Sequence, residues 1–156
     1  MIDVSTLTAN ELVSKLRSGE ISSVELCNKY LDRIKKYEKD IQAWAHLDKK
    51  ILLEKAEEAD EYRKSGKPLG PLHGLPVAVK DIIGAYDMPT ECGTVFRKKM
   101  SSTQDSEIVN LLKNAGAIIM GKRQQPNSLI STLVKQKTLT ITLEHQVALQ
   151  VALLQL

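Results

Sequence analysis

A run of turn-forming residues that feeds directly into a short apolar strand constrains this chain most: Gly70-Pro71-Leu72-His73-Gly74-Leu75-Pro76-Val77-Ala78-Val79-Lys80-Asp81. Pro76 suits the first position of a strand, where no ladder N–H is needed. Val77 and Val79 are β-branched and flank Ala78, the pattern of a strand buried on both faces. Such a strand delivers Lys80 to its C-terminal end, where α/β proteins build their sites. A lysine desolvated there sheds its proton more readily and can act as a base. The plain alternative is that Lys80 is the solvated end of a core strand, since lysine usually points to water.

Caps and periodicity place the other elements. Thr8-Ala9-Asn10-Glu11 reads as a capping box with Leu7 as a hydrophobic staple. Leu12, Val13 and Leu16 follow at helical spacing, and Gly19 can close that helix in the left-handed region. Ser22-Ser23-Val24-Glu25 is a second capping box, opening a helix whose Leu26, Tyr30, Ile34 and Tyr37 form one stripe. An extended stretch over 43–47 comes next, then a third helix capped by Asp48 and running through Ser65, with Gly66 and Pro68 to stop it. Its Ala, Glu and Lys are good helix formers. Residues 84–100 read as a loop, 106–114 as a helix and 117–120 as a short buried strand. Helices that precede and alternate with short apolar strands predict an α/β architecture.

Composition narrows the chemistry. The formal charge of +3 on 156 residues is modest and the charges are interspersed, which implies neither nucleic acid nor a membrane surface as partner. The length is enough to bury a core. Cys27 and Cys92 fit neither a metal pair nor a redox Cys-x-x-Cys, and read as reduced packing residues of a cytoplasmic protein. No leader peptide and no apolar run near twenty residues is evident. His46, His73 and His145 lack ligand spacing, so no metal and no cofactor is expected. His73 lies in the turn before the strand, as a plain turn residue or as part of a substrate pocket. Asp81 would face away from Lys80 if the strand continued. The Glu57-Glu58 and Lys98-Lys99 pairs read as solvated surface.

The Gly70–Asp81 segment resembles the lysine-bearing stretch of the amidase signature family, G-P-L-x-G-[IL]-P-[VI]-x-[VI]-K-D. Ser18-Gly19-Glu20-Ile21-Ser22-Ser23-Val24-Glu25-Leu26 is similar to that family's N-terminal helices. Asp105 to Lys122, ending Gly116-Ala117-Ile118-Ile119-Met120-Gly121-Lys122, is similar to the helix and strand that come after the lysine. The resemblance covers about residues 5–122. It implies the N-terminal part of an α/β/α sandwich with a mixed sheet, and a hydrolase that cleaves small-molecule amides with a Ser–cis-Ser–Lys triad in which Lys80 holds the lysine position. It equally implies relatives that serve as the A-subunit of tRNA-dependent amidotransferases, working with protein partners and aminoacyl-tRNA. His73 tilts against that second class, whose members more often carry a small residue there. The oligomeric state is open.

After Lys122 the chain changes character. All eight glycines and every aromatic residue precede it, and the remaining 34 residues hold one acid, Glu144. Gln-Val-Ala-Leu occurs at 146–149 and again at 150–153. Residues 138–143 alternate like a strand, and 146–156 could form an amphipathic helix. The reading that accounts for more is a shifted frame. Joining the last base of each codon to the first two of the next lets Arg123 to Ser128 become Thr-Thr-Thr-Glu-Phe. The same operation from His145 permits Pro-Gly-Gly-Ser-Ser-Gly-Gly-Ser-Ala-Ala, which resembles the glycine- and serine-rich loop that carries the family's cis-Ser. Residues 1–122 are thus expected to be the N-terminal portion of an amidase domain, and 123–156 an aberrant, poorly ordered tail. The chain as written then lacks the cis-Ser loop and the nucleophile and is expected to be an inactive fragment, or a non-enzymatic binder. Unpaired strand edges and the β-prone run at 138–143 predict weak stability or aggregation.

Overall fold

Two capping boxes start the fold. The computed structural model describes residue 4 and residues 6–124. Helix α1 (Ala9–Ser18) begins where the Thr8 hydroxyl accepts from the Glu11 N–H at 3.3 Å, while the Glu11 carboxylate accepts from the Thr8 N–H at 2.7 Å. Gly19 ends it at φ 77°, a conformation that costs glycine no Cβ clash. Helix α2 (Ser23–Ile41) repeats the device through Ser22 and Glu25. Helix α3 (Lys49–Lys64) is capped by Asp48, which accepts from the Lys50 and Ile51 N–H groups. From its far end the buried Asp60 carboxylate accepts from the Ser23 N–H at 2.8 Å and the Val24 N–H at 3.1 Å. Those are two of the donors that a helix start leaves without an internal partner, so α3 completes the cap of α2.

Three short strands form one sheet. Strand β1 (Trp44–His46) pairs antiparallel with β3 (Ile118–Arg123), and β2 (Pro76–Lys80) pairs parallel with β3 on its other side. A parallel pair needs a crossover, supplied by the loop after β2 and helix α4 (Glu107–Asn114). The sheet is therefore mixed, as expected, and the chain has the α/β fold in incomplete form.

Alternation along β3 divides the core. Ala117 and Ile119 join Leu12, Leu16, Val77, Val79, Val109 and Leu112 on one face. Ile118 and Met120 join Cys27, Leu52 and Ala56 against α2 and α3 on the other. Helices thus lie on both faces of the strands. The helices fall where caps and stripes placed them, although Tyr37, at the end of the expected stripe, is exposed. The last strand is longer than expected. It continues through Lys122 and Arg123 because partners exist on both sides: the Asp81 N–H donates to the Arg123 carbonyl at 3.0 Å, and the Gln124 N–H to that of Ala43 at 2.8 Å. The strand therefore crosses the change of composition at Lys122. Of the tail expected to be poorly ordered from residue 123, Arg123 closes β3, while the expected strand at 138–143, the helix at 146–156 and the expected disorder from residue 125 on lie outside the described residues.

The loop after β2 holds a single 3-10 turn, Val95–Arg97, and is closed by two backbone bonds, Thr90 N–H to the Met100 carbonyl (2.7 Å) and Ser106 N–H to that of Gly84 (2.9 Å). No helix among the described residues is long and apolar enough to cross a membrane.

Candidate functional site

Lys80 is the last residue of β2, as the turn-and-strand pattern implied, and its side chain is exposed. Among the described residues it therefore reads as the solvated end of a core strand. Val77 and Val79 are buried, whereas Ala78 is only half-buried, so the strand is covered more completely on one face than on the other. Register sets Lys80 opposite Arg123, whose guanidinium lies 5.8 Å from the centre of the Trp44 ring. Burial pushes the Arg123 pKa below its usual range, with Glu38 opposing. At Gly121, beside this pair, a Cβ would come 2.5 Å from the His46 carbonyl oxygen, so only glycine lets β1 approach here.

Asp81 turns away from Lys80, as alternation required, but it is not idle. It is 2% exposed, and its carboxylate accepts from the Glu91 N–H at 3.1 Å and the Gly93 N–H at 3.2 Å. The residue that sequence reasoning missed is Lys122. It is 0% exposed, and its ammonium donates to the Ile83 carbonyl and, at 2.9 Å, to the Thr90 hydroxyl. Desolvation pushes its pKa down, opposed first by the negative charge of Asp81 and then by Cys92, Asp87 and Asp105. The available signal was a lysine directly continuing the apolar run Ile118-Ile119-Met120-Gly121 with no turn residue to carry it out to water.

His73 sits in the turn and is buried. Its Nε2 lies 3.0 Å from the Ala59 carbonyl oxygen, and its ring centre 5.5 Å from that of Tyr62. It ties the turn to α3. Cys27 is a packing residue, as expected, with its thiol pushed up to about 12, chiefly by burial and then by Asp60. Cys92 is half-buried, at φ 55°. Glu57, Glu58, Lys98 and Lys99 are exposed. Among the described residues no three His, Cys, Asp or Glu side chains converge as a metal-ligand set. The arrangement thus offers one exposed amine at the end of a parallel strand, backed by a loop that two buried charged groups tie down.

Known proteins share this sequence and this geometry. The amidase family profile matches residues 25–143, a range that runs past the change of composition at Lys122. The A-subunit of the glutamyl-tRNA(Gln) amidotransferase of Rhodopirellula baltica is 40% identical over 115 residues, which are 74% of this chain and 23% of that protein. The peptide amidase of Stenotrophomonas maltophilia superposes with a TM-score of 0.72 at 30% identity, over 78% of this chain and 25% of the enzyme. A fatty acid amide hydrolase superposes with a TM-score of 0.73 at 31% identity, over 80% and 22%. The chain spans about a quarter of the length of the curated relatives it matches.

Proposed function

This chain belongs to the amidase family, and on that footing we propose that it carries the general-base lysine of an amide hydrolase, Lys80, within the N-terminal part of the catalytic domain. The observation that supports this most is the position of Lys80, at the C-terminal end of a strand paired in parallel with its neighbour across a helical crossover. In the reaction, unprotonated Lys80 takes a proton from a cis-serine, which relays it from a second serine. The second serine attacks the amide carbon, the C–N bond breaks as the leaving amine is protonated, and water then hydrolyses the acyl-enzyme. Backbone N–H groups of a glycine-rich loop hold the oxyanion. The protein segments that bring the serines also cover Lys80 and supply the desolvation that its exposed position lacks here. The substrate is a small-molecule amide, the compartment cytoplasmic, and no cofactor takes part.

The serines are not found in residues 123–156 as written, where Ser128 and Ser131 lack a glycine-rich context. We assign this stretch to a shifted reading frame and the present chain to an inactive form. The nucleotides coding for 120–156 test it. Read from the third base of each codon, they are expected to stay open beyond Leu156 and to encode the Gly/Ser loop; a stop soon after Arg123 in that frame defeats the assignment. The purified chain is expected to hydrolyse no amide, and the frame-restored protein to do so. Lys80→Ala should then lower the restored rate by about a thousandfold or more, as loss of a triad base does.

A second reading has its own support. The curated relatives most similar in the matched stretch include several glutamyl-tRNA(Gln) amidotransferase A-subunits. If this chain derives from one, the restored protein will co-purify with partner subunits and pass ammonia to aminoacyl-tRNA instead of releasing it.

A further inference from the structure

Lys122 should not face the loop after β2 at all, by simple alternation. Ile119 faces the core that this loop covers, so a residue three positions later belongs on the opposite side. The register explains the reversal: Val77 lies opposite Ile119, but Ala78 lies opposite Gly121. Met120 is an extra residue on β3, and such a bulge re-aims the side chains beyond it. Lys122 therefore comes opposite Val79, on the same face as Asp81, and Lys80 on the other.

From there the ammonium reaches back to the turn beyond Lys80. The Ile83 carbonyl accepts from Lys122, and the Ile83 N–H donates to the Lys80 carbonyl at 2.9 Å. One peptide residue thus links the two lysines. The Thr90 hydroxyl takes a second bond from Lys122, and Asp81 holds the next amides, those of Glu91 and Gly93. A buried ammonium is expensive to desolvate and is recovered only by good partners. Packing alone gives no reason for a cation here, since any aliphatic residue would continue the apolar run. What a cation adds is direction, because only one arrangement of the loop satisfies it.

We propose that Lys122 is a positioning residue for Lys80: through Ile83 and Thr90 it locks the turn beyond β2, and with Asp81 it fixes the backbone from which the Lys80 side chain projects. The role matters to catalysis only through the reading of Lys80 as the base, on which it rests. The nearest consequence is geometric and can be measured without catalysis.

The test is heteronuclear NMR on the 156-residue chain and its Lys122→Met variant, which keeps the length of the side chain and removes the donor. The Ile83 amide is expected to exchange with solvent about tenfold faster or more. The Lys80 13Cα and 13C′ shifts are expected to move from strand toward random-coil values, while amides of α1 to α3 keep their protection. Faster exchange at Ile83 with unmoved Lys80 shifts would make Lys122 an anchor of the loop only, and unchanged spectra at both would overturn the proposal outright. Should Lys122→Met fail to fold, Thr90→Val removes one of the two acceptors. It is expected to shift the Lys80 resonances in the same direction by less, and unmoved Lys80 shifts there overturn the proposal equally. An inactive frame-restored enzyme would defeat the reading of Lys80 as a base and leave these spectra to decide the role of Lys122.

Discussion

The helical layer of α1 to α3 and the loop between β2 and α4 are held in opposite ways. In the helical layer each element closes on itself through a neighbouring side chain, Thr8 with Glu11, Ser22 with Glu25, Asp48 with Lys50 and Ile51. Asp60, through Ser23 and Val24, is a long-range addition to an already local design. The loop has little regular structure of its own, and beside its two backbone closures and local bonds such as that from the Lys99 N–H to the Glu91 carboxylate it is fixed by polar groups reaching in from the sheet: Lys122 to Ile83 and Thr90, Asp81 to Glu91 and Gly93. Local capping makes a region robust to change elsewhere. Anchoring by distant charges makes a region conditional on every anchor, a property suited to a site whose geometry must be specified by its surroundings.

The contrast can be broken most forcefully at Asp60. Asp60→Ala leaves two amides of α2 without their carboxylate and is expected to cost roughly 3 kcal/mol, read as a lower urea midpoint for the whole chain. In the loop, Asp81→Ala removes a comparable pair of bonds, yet the expected cost is about 2 kcal/mol and local: faster amide exchange at Glu91 and Gly93 with α1 to α3 unaffected. A uniform loss of protection in both variants would erase the distinction between the regions. Ser22→Ala, at one local cap, is expected to lower stability by about 1 kcal/mol in a chemical-denaturation measurement.

The gentlest test is alkaline, because the two regions respond to pH with opposite sign. Cys27 in α2 has a pKa raised from 9.0 to about 12, so above pH 9.0 the unfolded chain loses a proton that the folded chain keeps. Stability from this thiol is whole below pH 9.0 and is lost as pH rises toward about 12. Lys122 has a pKa lowered below 10.5, so between that lowered value and 10.5 the unfolded chain binds a proton that the folded chain has released. Stability from this group rises with pH across that window. Urea midpoints measured from about pH 8 upward should therefore fall less steeply in Cys27→Ala and more steeply in Lys122→Met than in the parent chain. Slopes that respond in the same direction would contradict the assignment of either group.

The same division governs how much could be read in advance. Capping boxes, the Gly19 stop and the strand ending on Lys80 are written in contiguous residues, because the physics that makes them is local. The buried state of Lys122 depends on a bulge, a loop far upstream in sequence and a carboxylate at the end of a neighbouring strand, none of which leaves a contiguous trace. His73 shows the same limit. Its place in a turn was legible, whereas its tie to the Ala59 carbonyl needed α3 to be in position. Lys80 was located correctly at its strand end, but its exposure depends on the elements that pack over that end, which local pattern does not encode.

The extra residue in β3 also sets the parity of everything after it. Were Met120 paired regularly with Ala78 instead of bulged out of the ladder, the sequence would be unchanged, yet every position from Gly121 onward would exchange odd for even. Lys122 would swing into the apolar layer with Leu52 and Ala56, and Arg123 would take its place under the loop. A slip of one residue in register would thereby trade the two cations across the sheet, an outcome that no single substitution at either of them could reproduce.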